Sequence, residues 1–395
     1  MKILRGNLRE YGMIAALIIV ALLFQYLTNG LLFRPANIVN LVIQNSPVLI
    51  LAIGMMLVII TGRIDLSVGS FASFTGALSG IFIVTLGIPL VVAIPLVLLI
   101  GALAGAWNGY WIAYRNIPFF IVTLAGMLVY RGLTMVVLGG VTITGFPPAF
   151  HNMAAGVVPN VLGGGGLNLT ALVICLVASI VIIVLELRRR NKAIKYNMGT
   201  LPMPAFVAKL VFITFVINLF GYWFANSRGL PNVLILLAFL TAFYSFIASN
   251  TVMGRHIYAT GGNEKAAELT GLKVKNVVFW VYVNMGVLAA LAGLVFAARL
   301  NAASPRAEAG FELQAIAAAF IGGASPSGGV GKITGAIVGA MMMGILSNGL
   351  SHMGIGADLR MAITGVVLLA AIIFDVYAKK AKVSKTPEAQ VAKSA

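Results

Sequence analysis

Runs of about 20 apolar residues recur along this chain of 395 residues, separated by short polar stretches. A run of that length spans the hydrocarbon core of a bilayer as an α-helix, which pairs every backbone amide and carbonyl within the segment. A β-barrel would need alternating polar and apolar residues, which these continuous runs lack. A mean hydropathy of +1.02 excludes an ordinary soluble domain. The sequence therefore predicts an all-α, polytopic transmembrane helical bundle.

Twelve segments are predicted to be helices of this bundle. They are residues 11–33, 38–60, 66–86, 88–114, 118–138, 169–187, 206–224, 231–251, 277–300, 313–323, 333–351 and 357–377. They define a single transmembrane domain over residues 1–378, followed by a polar cytoplasmic tail at 379–395.

The basic residues that give the net charge of +17 cluster at the ends of the apolar segments. This distribution is typical of residues that set membrane topology rather than of a nucleic-acid-binding surface. If both termini are cytoplasmic, the inner loops contain the basic stretches 188–192, 255–275 and 379–382. The outer loop 139–168 contains no Lys or Arg. All of these basic stretches lie on the cytoplasmic side only if residues 313–323 cross the membrane. That segment is too short for a straight crossing, so we expect either a partial helix completed by irregular backbone or a re-entrant loop, and favour the crossing.

Catalytic and metal-binding groups are sparse. His151, His256 and His352 are each isolated, without metal-ligand spacing around them. The nearest approach to a nucleotide-binding loop is 328–333, but Pro326 stands where a P-loop has Gly, and Ile333 where it has Ser or Thr. We therefore expect no catalytic residue, metal or cofactor in this chain, and no hydrolysis of ATP by it.

Neutral polar residues at membrane depth are the candidates for a substrate pathway. A sugar needs hydrogen-bond partners and flat apolar faces, which amides, hydroxyls and aromatic rings supply. The neutral candidates are Gln44, Asn45, Ser67, Trp107 and Asn108, and the acid Asp65 is added to them because it lies in the same region. The alternative for any one of them is that Asn and Ser hold helices together, which is the commoner use. Arg63 and Asp65 have a second alternative, namely pairing with one another at the membrane edge.

A polar run at 262–271 contains three charges, those of Glu264, Lys265 and Glu268, in an otherwise apolar chain. Its pattern predicts a short helix with Asn263 as the N-cap and Gly271 as the left-handed stop. Ala266 and Leu269 share one face of that helix. Since so short a helix is marginal alone, we expect it to pack against something.

Arginines on the predicted outer loops are candidates for docking an acidic patch on a soluble partner. They are Arg299, Arg306 and Arg360. Equally, they could be solvated loop charges.

Four stretches carry a resemblance to a known family. They are GMMLVIITGRIDLSVGS at 54–70, YATGGNEKAA at 258–267, FELQAIAA at 311–318 and IGGAS at 321–325. With these motifs the chain resembles the permease subunits of bacterial ABC importers for monosaccharides, the ribose/xylose/galactose permease family. The length of this chain resembles that of the longer xylose and multiple-sugar branch. So does an apparent helix pair at about 169–225, inserted into a ten-helix core. Arg63 departs from the shorter members, which have Gly-Thr or Gly-Ser there.

The resemblance implies a transport complex in the bacterial inner membrane. The expected partners are a second permease copy, a cytoplasmic ABC ATPase that holds ATP and Mg²⁺, and a periplasmic sugar-binding protein that delivers a xylose-type or other aldose sugar. The loop at about 252–275 would couple to the ATPase. Carried over from the family, the coupling residues are Gly262, Asn263, Glu264, Ala266, Ala267 and Gly271.

The competing interpretation is an ion-coupled secondary sugar carrier that works without an ATPase. Such carriers usually need titratable or ion-coordinating groups at the membrane midplane. Asp65, Glu186 and Asp375 lie near predicted helix ends, which counts against this alternative.

Overall fold

A computed structural model describes residues 2–197, 199–305 and 310–383 of the protein. These residues form fifteen α-helices and a ribbon of two short strands. The helices are α1 (Lys2–Leu27), α2 (Pro35–Ile60), α3 (Val68–Gly80, continued by a π-helical turn at Ile81–Thr85), α4 (Leu90–Ala113), α5 (Phe119–Leu138), α6 (Pro148–Ala154), α7 (Leu169–Lys195), α8 (Met203–Ala225), α9 (Asn232–Asn250), α10 (Val252–Gly262), α11 (Glu264–Leu269), α12 (Val274–Leu300), α13 (Phe311–Ile321), α14 (Ile333–His352) and α15 (Ala357–Val383). The strands are β1 (Ile143–Thr144) and β2 (Ala302–Ala303).

The predicted helical bundle is confirmed, since each of the twelve predicted segments contains a helix and the other three helices lie in loops. Prolines set several of the starts: Pro35 occupies the first turn of α2, and Pro118 and Pro231 immediately precede α5 and α9. Within the described residues, nine helices are long and apolar enough to cross a membrane. α15 continues to Val383, beyond the predicted end of the domain at 378, and the rest of the predicted tail lies outside the described residues.

The bundle has two ends, which we name by their contents. The α11 end contains α10 and α11, and there Tyr114, after α4, donates a hydrogen bond of 3.0 Å to Asn276 near the start of α12. The ribbon end contains the antiparallel pair β1–β2, in which Ile143 lies opposite Ala303. At the ribbon end His352, which closes α14, lies 3.0 Å from the Oδ1 atom of Asn37 near the start of α2.

The segment around α13 runs from one end of the bundle to the other. It follows β2 at the ribbon end, and the loop after α13 reaches the α11 end, where the Gly329 amide donates a 2.8 Å hydrogen bond to the Ile60 carbonyl. The helix itself covers only 11 residues. Over the described residues 310–332 the segment is a short helix followed by irregular backbone, and it ends at the α11 end of the bundle, as the favoured crossing requires.

Helices α2 and α12 form the centre of the bundle, and most of their residues are buried. Spaced glycines allow α4 to lie directly on α12. A Cβ atom at Gly105 would overlap the Tyr282 carbonyl, and one at Gly286 would overlap the Gly101 carbonyl. Small residues let two helix backbones approach closely in a membrane, where the hydrophobic effect does not drive helices together.

The predicted inserted pair, α7 and α8, lies at the edge of the bundle. The two helices pack mainly on each other, with the side chain of Cys175 against Gly221 and a 2.7 Å ion pair between Lys209 and Glu186. Few of their described residues are buried. One link to the rest is the ring of Trp223, stacked on Phe33 between α1 and α2 at 5.5 Å. This peripheral position is what an addition to a core bundle would have.

Candidate functional site

Helix α11 has the capped form that its sequence predicts. The Asn263 side chain accepts a 3.0 Å hydrogen bond from the Ala266 amide, and Glu264 lies in the first turn, where the helix dipole favours an acid. Gly271 ends the turn with φ +85°, a conformation that a side chain would strain. Gly262 precedes the cap and is exposed. The capping residues thus hold a helix of 6 residues at the surface of the α11 end.

The packing face of α11 differs from the predicted one. Ala267 is the buried residue of the helix, whereas Ala266 is exposed and the Leu269 side chain is 89% exposed. The prediction of a face formed by Ala266 and Leu269 is therefore wrong. The turn that follows brings the Leu272 amide onto the Ala267 carbonyl, at 3.2 Å, and so turns Ala267 toward the protein. Leu269 is left as an apolar side chain pointing into solvent beside the charges of the helix.

Arg63 pairs with Glu264 rather than with Asp65. Its Nη2 atom lies 2.8 Å from the Glu264 carboxylate, and its Nη1 atom donates to the Thr61 carbonyl. The Arg63 side chain is 15% exposed and that of Glu264 48%. The charge at position 63, unassigned from sequence, thus links the α2–α3 loop to α11.

Asp65, Ser67 and Asn108 form what we call the closed cluster. The Asp65 carboxylate accepts hydrogen bonds from the Ser67 amide (2.8 Å) and hydroxyl (2.6 Å), and Asn108 donates to the Ser67 hydroxyl at 3.1 Å. Burial raises the pKa of the Asp65 carboxyl, which lies between the spanning helices, and the bonds from Ser67 partly oppose this. The adjoining cavity holds about 10 Å³, the scale of a single water molecule. The cluster ties α3 to α4 and leaves no space for a sugar.

Gln44 and Asn45 line a different site, which we call the ribbon-end cavity. It has a volume of about 180 Å³ and lies between α2, α13, α14 and the neighbouring ends of α12 and α15. Its polar lining consists of Gln44, Asn45, Arg299, Gln314, Ser347, Asn348, Ser351 and Arg360. Asn45 also donates a 2.7 Å hydrogen bond to the Ala340 carbonyl and so connects α2 to α14. The sixth pathway candidate, Trp107, lies on the outer surface of α4 and is 61% exposed.

Two of the predicted docking residues line this same cavity. Arg299, in the last turn of α12, places its guanidinium over the Phe296 ring at 4.9 Å. Arg360 lies in the first turns of α15, and its Nε atom is buried without a hydrogen-bond partner among the described residues. Arg306, the third predicted docking residue, lies outside the described residues. Tertiary structure therefore brings together residues that the sequence had assigned to two separate roles.

Sequence reasoning missed four neutral polar residues of the cavity: Gln314 on α13 and Ser347, Asn348 and Ser351 on α14. The signal that selected Gln44 also applies to them, since they interrupt apolar helices. Asn348 is held in place by a reciprocal amide pair with Asn37, at 2.9 and 3.1 Å. This pair fixes the orientation of one wall of the cavity.

A second cleft opens at the α11 end, between α10 and α12. Its volume is about 640 Å³, and its walls include Gly271 and Thr270 from the predicted coupling loop and the basic residues Arg255, His256 and Lys273. One of the predicted coupling residues, Gly271, thus borders a recess with basic residues in its walls.

Arg131 of α5 pairs with Glu312 of α13 at 2.8 Å, and the Glu312 side chain is buried. The Arg131 Nε atom also donates to the Ser70 hydroxyl at 3.1 Å. The Oε2 atom of Glu312 is buried and lacks a hydrogen-bond partner in the described part of the chain. Over that same part, no group of three His, Cys, Asp or Glu side chains is placed to hold a metal ion.

The fold and these sites define a polytopic membrane permease. The chain belongs to the permease family whose model is described as "branched-chain amino acid transport system / permease component", which matches residues 37–186 and 166–372. This match confirms that the chain is a permease, as its motifs predict, and the two matched ranges overlap at residues 166–186.

Named relatives cover nearly the whole chain. The xylose transport system permease protein of Escherichia coli K12 is 39% identical over 379 residues, which is 95% of this chain and 93% of that protein. The xylose transport system permease protein of Haemophilus influenzae is 37% identical over 382 residues (96% and 99%). The ribose import permease protein of E. coli K12 is 33% identical over 373 residues (93% and 94%). No solved structure matches the chain significantly.

Proposed function

We propose that this protein is the membrane-spanning subunit of an ATP-driven importer for a xylose-type monosaccharide. A periplasmic binding protein delivers the sugar to the ribbon-end cavity of a permease pair. A cytoplasmic ATPase pair, which holds ATP and Mg²⁺, docks on α11 and switches access from one side to the other. The chain itself holds no cofactor, and both of its termini are cytoplasmic in the bacterial inner membrane.

The observation that carries the substrate proposal is the chemistry of the ribbon-end cavity. Its amides and hydroxyls supply both donors and acceptors, as a polyhydroxylated ligand requires. The described lining contains two arginines and no carboxylate, so it offers no anion for the ammonium group of an amino acid. The volume of about 180 Å³ is many times the space that a single water molecule needs, a scale that suits one monosaccharide ring. The relatives named for xylose and ribose support the same class.

The orientation follows from the charges. The loops at the α11 end contain the basic residues Arg63, Arg255 and Lys273, whereas the outer loop at 139–168 contains no Lys or Arg. Cytoplasmic loops of membrane proteins are enriched in these residues. A cytoplasmic ATPase would then meet α11 and its exposed Leu269, and Arg299 and Arg360 would face the binding protein.

Reconstitution in vesicles tests the function. We expect labelled xylose to accumulate only when the chain, its ATPase, its binding protein and ATP are all present. Uptake driven by a proton or sodium gradient with no ATPase present would instead establish the secondary carrier, for which the buried Glu312 carboxylate is the supporting feature. Thermal shifts of the partner binding protein across a panel of monosaccharides would identify the sugar.

Leu269→Asp tests docking on α11. Because Leu269 is 89% exposed, this change should leave stability unaltered while weakening ATPase binding about tenfold, as loss of an apolar contact at an interface does. Leu269→Met is the matched control and should bind normally. Normal ATPase binding by the aspartate variant would remove α11 from the interface.

A further inference from the structure

Three loops meet at the α11 end in a contact that we call the glycine junction, formed by Gly62, Gly261, Gly262, Gly328 and Gly329. They belong to the α2–α3 loop, the end of α10 and the loop before α14. The Gly329 amide donates a 2.8 Å hydrogen bond to the Ile60 carbonyl at the end of α2. A Cβ atom at Gly261 would overlap that same carbonyl, so only glycine allows the backbones to lie this close.

The loop before α14 is the run that resembles a P-loop without matching it. In the structure this loop packs against the backbone of two other segments. Gly328 and Gly329 adopt φ of +79° and +71° against the backbone of Gly62, Gly261 and Gly262. Tyr258 of α10 donates a 2.7 Å hydrogen bond to the Gly331 carbonyl, which adds a second tie between this loop and α10.

The ion pair between Arg63 and Glu264 adds a contact between the α2–α3 loop and α11. Glu264 is the first residue of α11, and Arg63 follows Gly62 in the α2–α3 loop. The 2.8 Å contact therefore connects the helix at the proposed ATPase surface to the glycine junction itself.

The helices that leave the junction lead to the ribbon-end cavity. α2 runs from Ile60 back to Asn45 and Gln44, a distance of about 22 Å at 1.5 Å per residue. α14 begins just after the junction and contributes Ser347 and Asn348 to the cavity wall. The Asn45 bond to Ala340 ties the two helices together on the way. Packed helices transmit displacements because their interior is dense and deforms little.

We propose that the glycine junction, closed by the Arg63–Glu264 pair, moves as one body and carries the displacement of α11 into α2 and α14. Arg63 is thus a positioning residue that acts through Glu264, and the glycine run 328–331 is a mechanical contact. This inference rests on the proposed function, since it requires an ATPase that moves α11.

Charge exchange tests the pair in reconstituted vesicles with ATPase and binding protein. Arg63→Glu and Glu264→Arg should each lower the sugar imported per ATP hydrolysed by about fivefold or more, the scale of coupling between two sites. The double exchange Arg63→Glu/Glu264→Arg and the conservative Arg63→Lys should restore most of the ratio. Arg115→Glu, an exposed charge reversal at the same end, is the control and should keep the wild-type ratio. Single variants with wild-type ratios, or a double exchange without recovery, would overturn the proposal.

A reversible linker tests whether the parts move together. With Cys175→Ala as background, Arg63→Cys/Glu264→Cys should uncouple hydrolysis from uptake, and a short bis-thiosulfonate linker between the two cysteines should restore coupling. If the linker instead blocks uptake until it is reduced, the loops move relative to one another and the proposal fails. Wild-type transport in the same vesicles separates this failure from failure of the proposed function.

Discussion

Two groups of polar side chains inside this bundle both contain amides and hydroxyls, and they differ in how much open volume adjoins them. In the closed cluster, Asp65, Ser67 and Asn108 bond to one another, and the adjoining cavity measures about 10 Å³. In the ribbon-end cavity, amides and hydroxyls from α2, α13 and α14 surround about 180 Å³. A buried polar group with internal partners stabilises the fold, whereas one that faces an open volume is available to a ligand.

The largest effect should come from removing the acid of the closed cluster. Asp65→Ala leaves the Ser67 amide and hydroxyl without their acceptor in a buried position, which should lower the free energy of unfolding by about 1–3 kcal/mol. Thermal unfolding in detergent measures this change. Asp65→Asn retains an acceptor oxygen and should lose less. An alanine variant as stable as the wild type would show that the cluster does not stabilise the bundle.

The next effect should fall on transport instead of stability. Gln44→Ala removes one exposed amide from the ribbon-end cavity, and loss of a ligand hydrogen bond should weaken sugar transport about fivefold to tenfold. Uptake at increasing sugar concentration measures this, and thermal unfolding of the same variant should match the wild type. Gln314→Ala should behave alike. Unaltered uptake by both would place the sugar elsewhere.

Asn108→Ala should have a smaller effect, of the same kind as the change at Asp65. It removes the donor to the Ser67 hydroxyl, a single bond worth about 0.5–1.5 kcal/mol. The unfolding midpoint should fall, and uptake per folded molecule should remain normal. A variant with normal stability and defective uptake would move Asn108 from the closed cluster to the transport pathway.

The smallest effect should come from Trp107, the pathway candidate on the outer surface. Because its side chain is 61% exposed, Trp107→Phe should alter stability by less than about 0.5 kcal/mol. Uptake should also be unchanged. A clear loss of uptake would contradict the assignment of this face of α4 to the exterior and would indicate contact with another subunit.

The features that could be predicted from the sequence are those that depend on neighbouring residues and on the membrane. The apolar runs predicted the twelve helices because, in lipid, a single segment can pair all of its backbone amides and carbonyls only as a helix. The caps of α11, Asn263 and Gly271, were readable because capping involves groups only a few residues apart. The four-residue spacing of Gly101, Gly105 and Gly109 in α4 is also visible in the sequence and is typical of close helix packing, although it does not identify the partner helix.

Contacts between residues that are far apart in the chain became visible only in the folded protein. Arg63 and Glu264 are 201 positions apart in the chain, so no local pattern could pair them. The same holds for the ribbon-end cavity, where Gln44 joins Gln314, Asn348 and Arg360 from three other helices. The orientation of α11, with Ala267 inward and Leu269 outward, depends on α12 as well. Helix formation depends on local hydrogen bonds and on burial in lipid. A site depends on contacts between several segments, and the periodicity of one segment does not tell where the others lie.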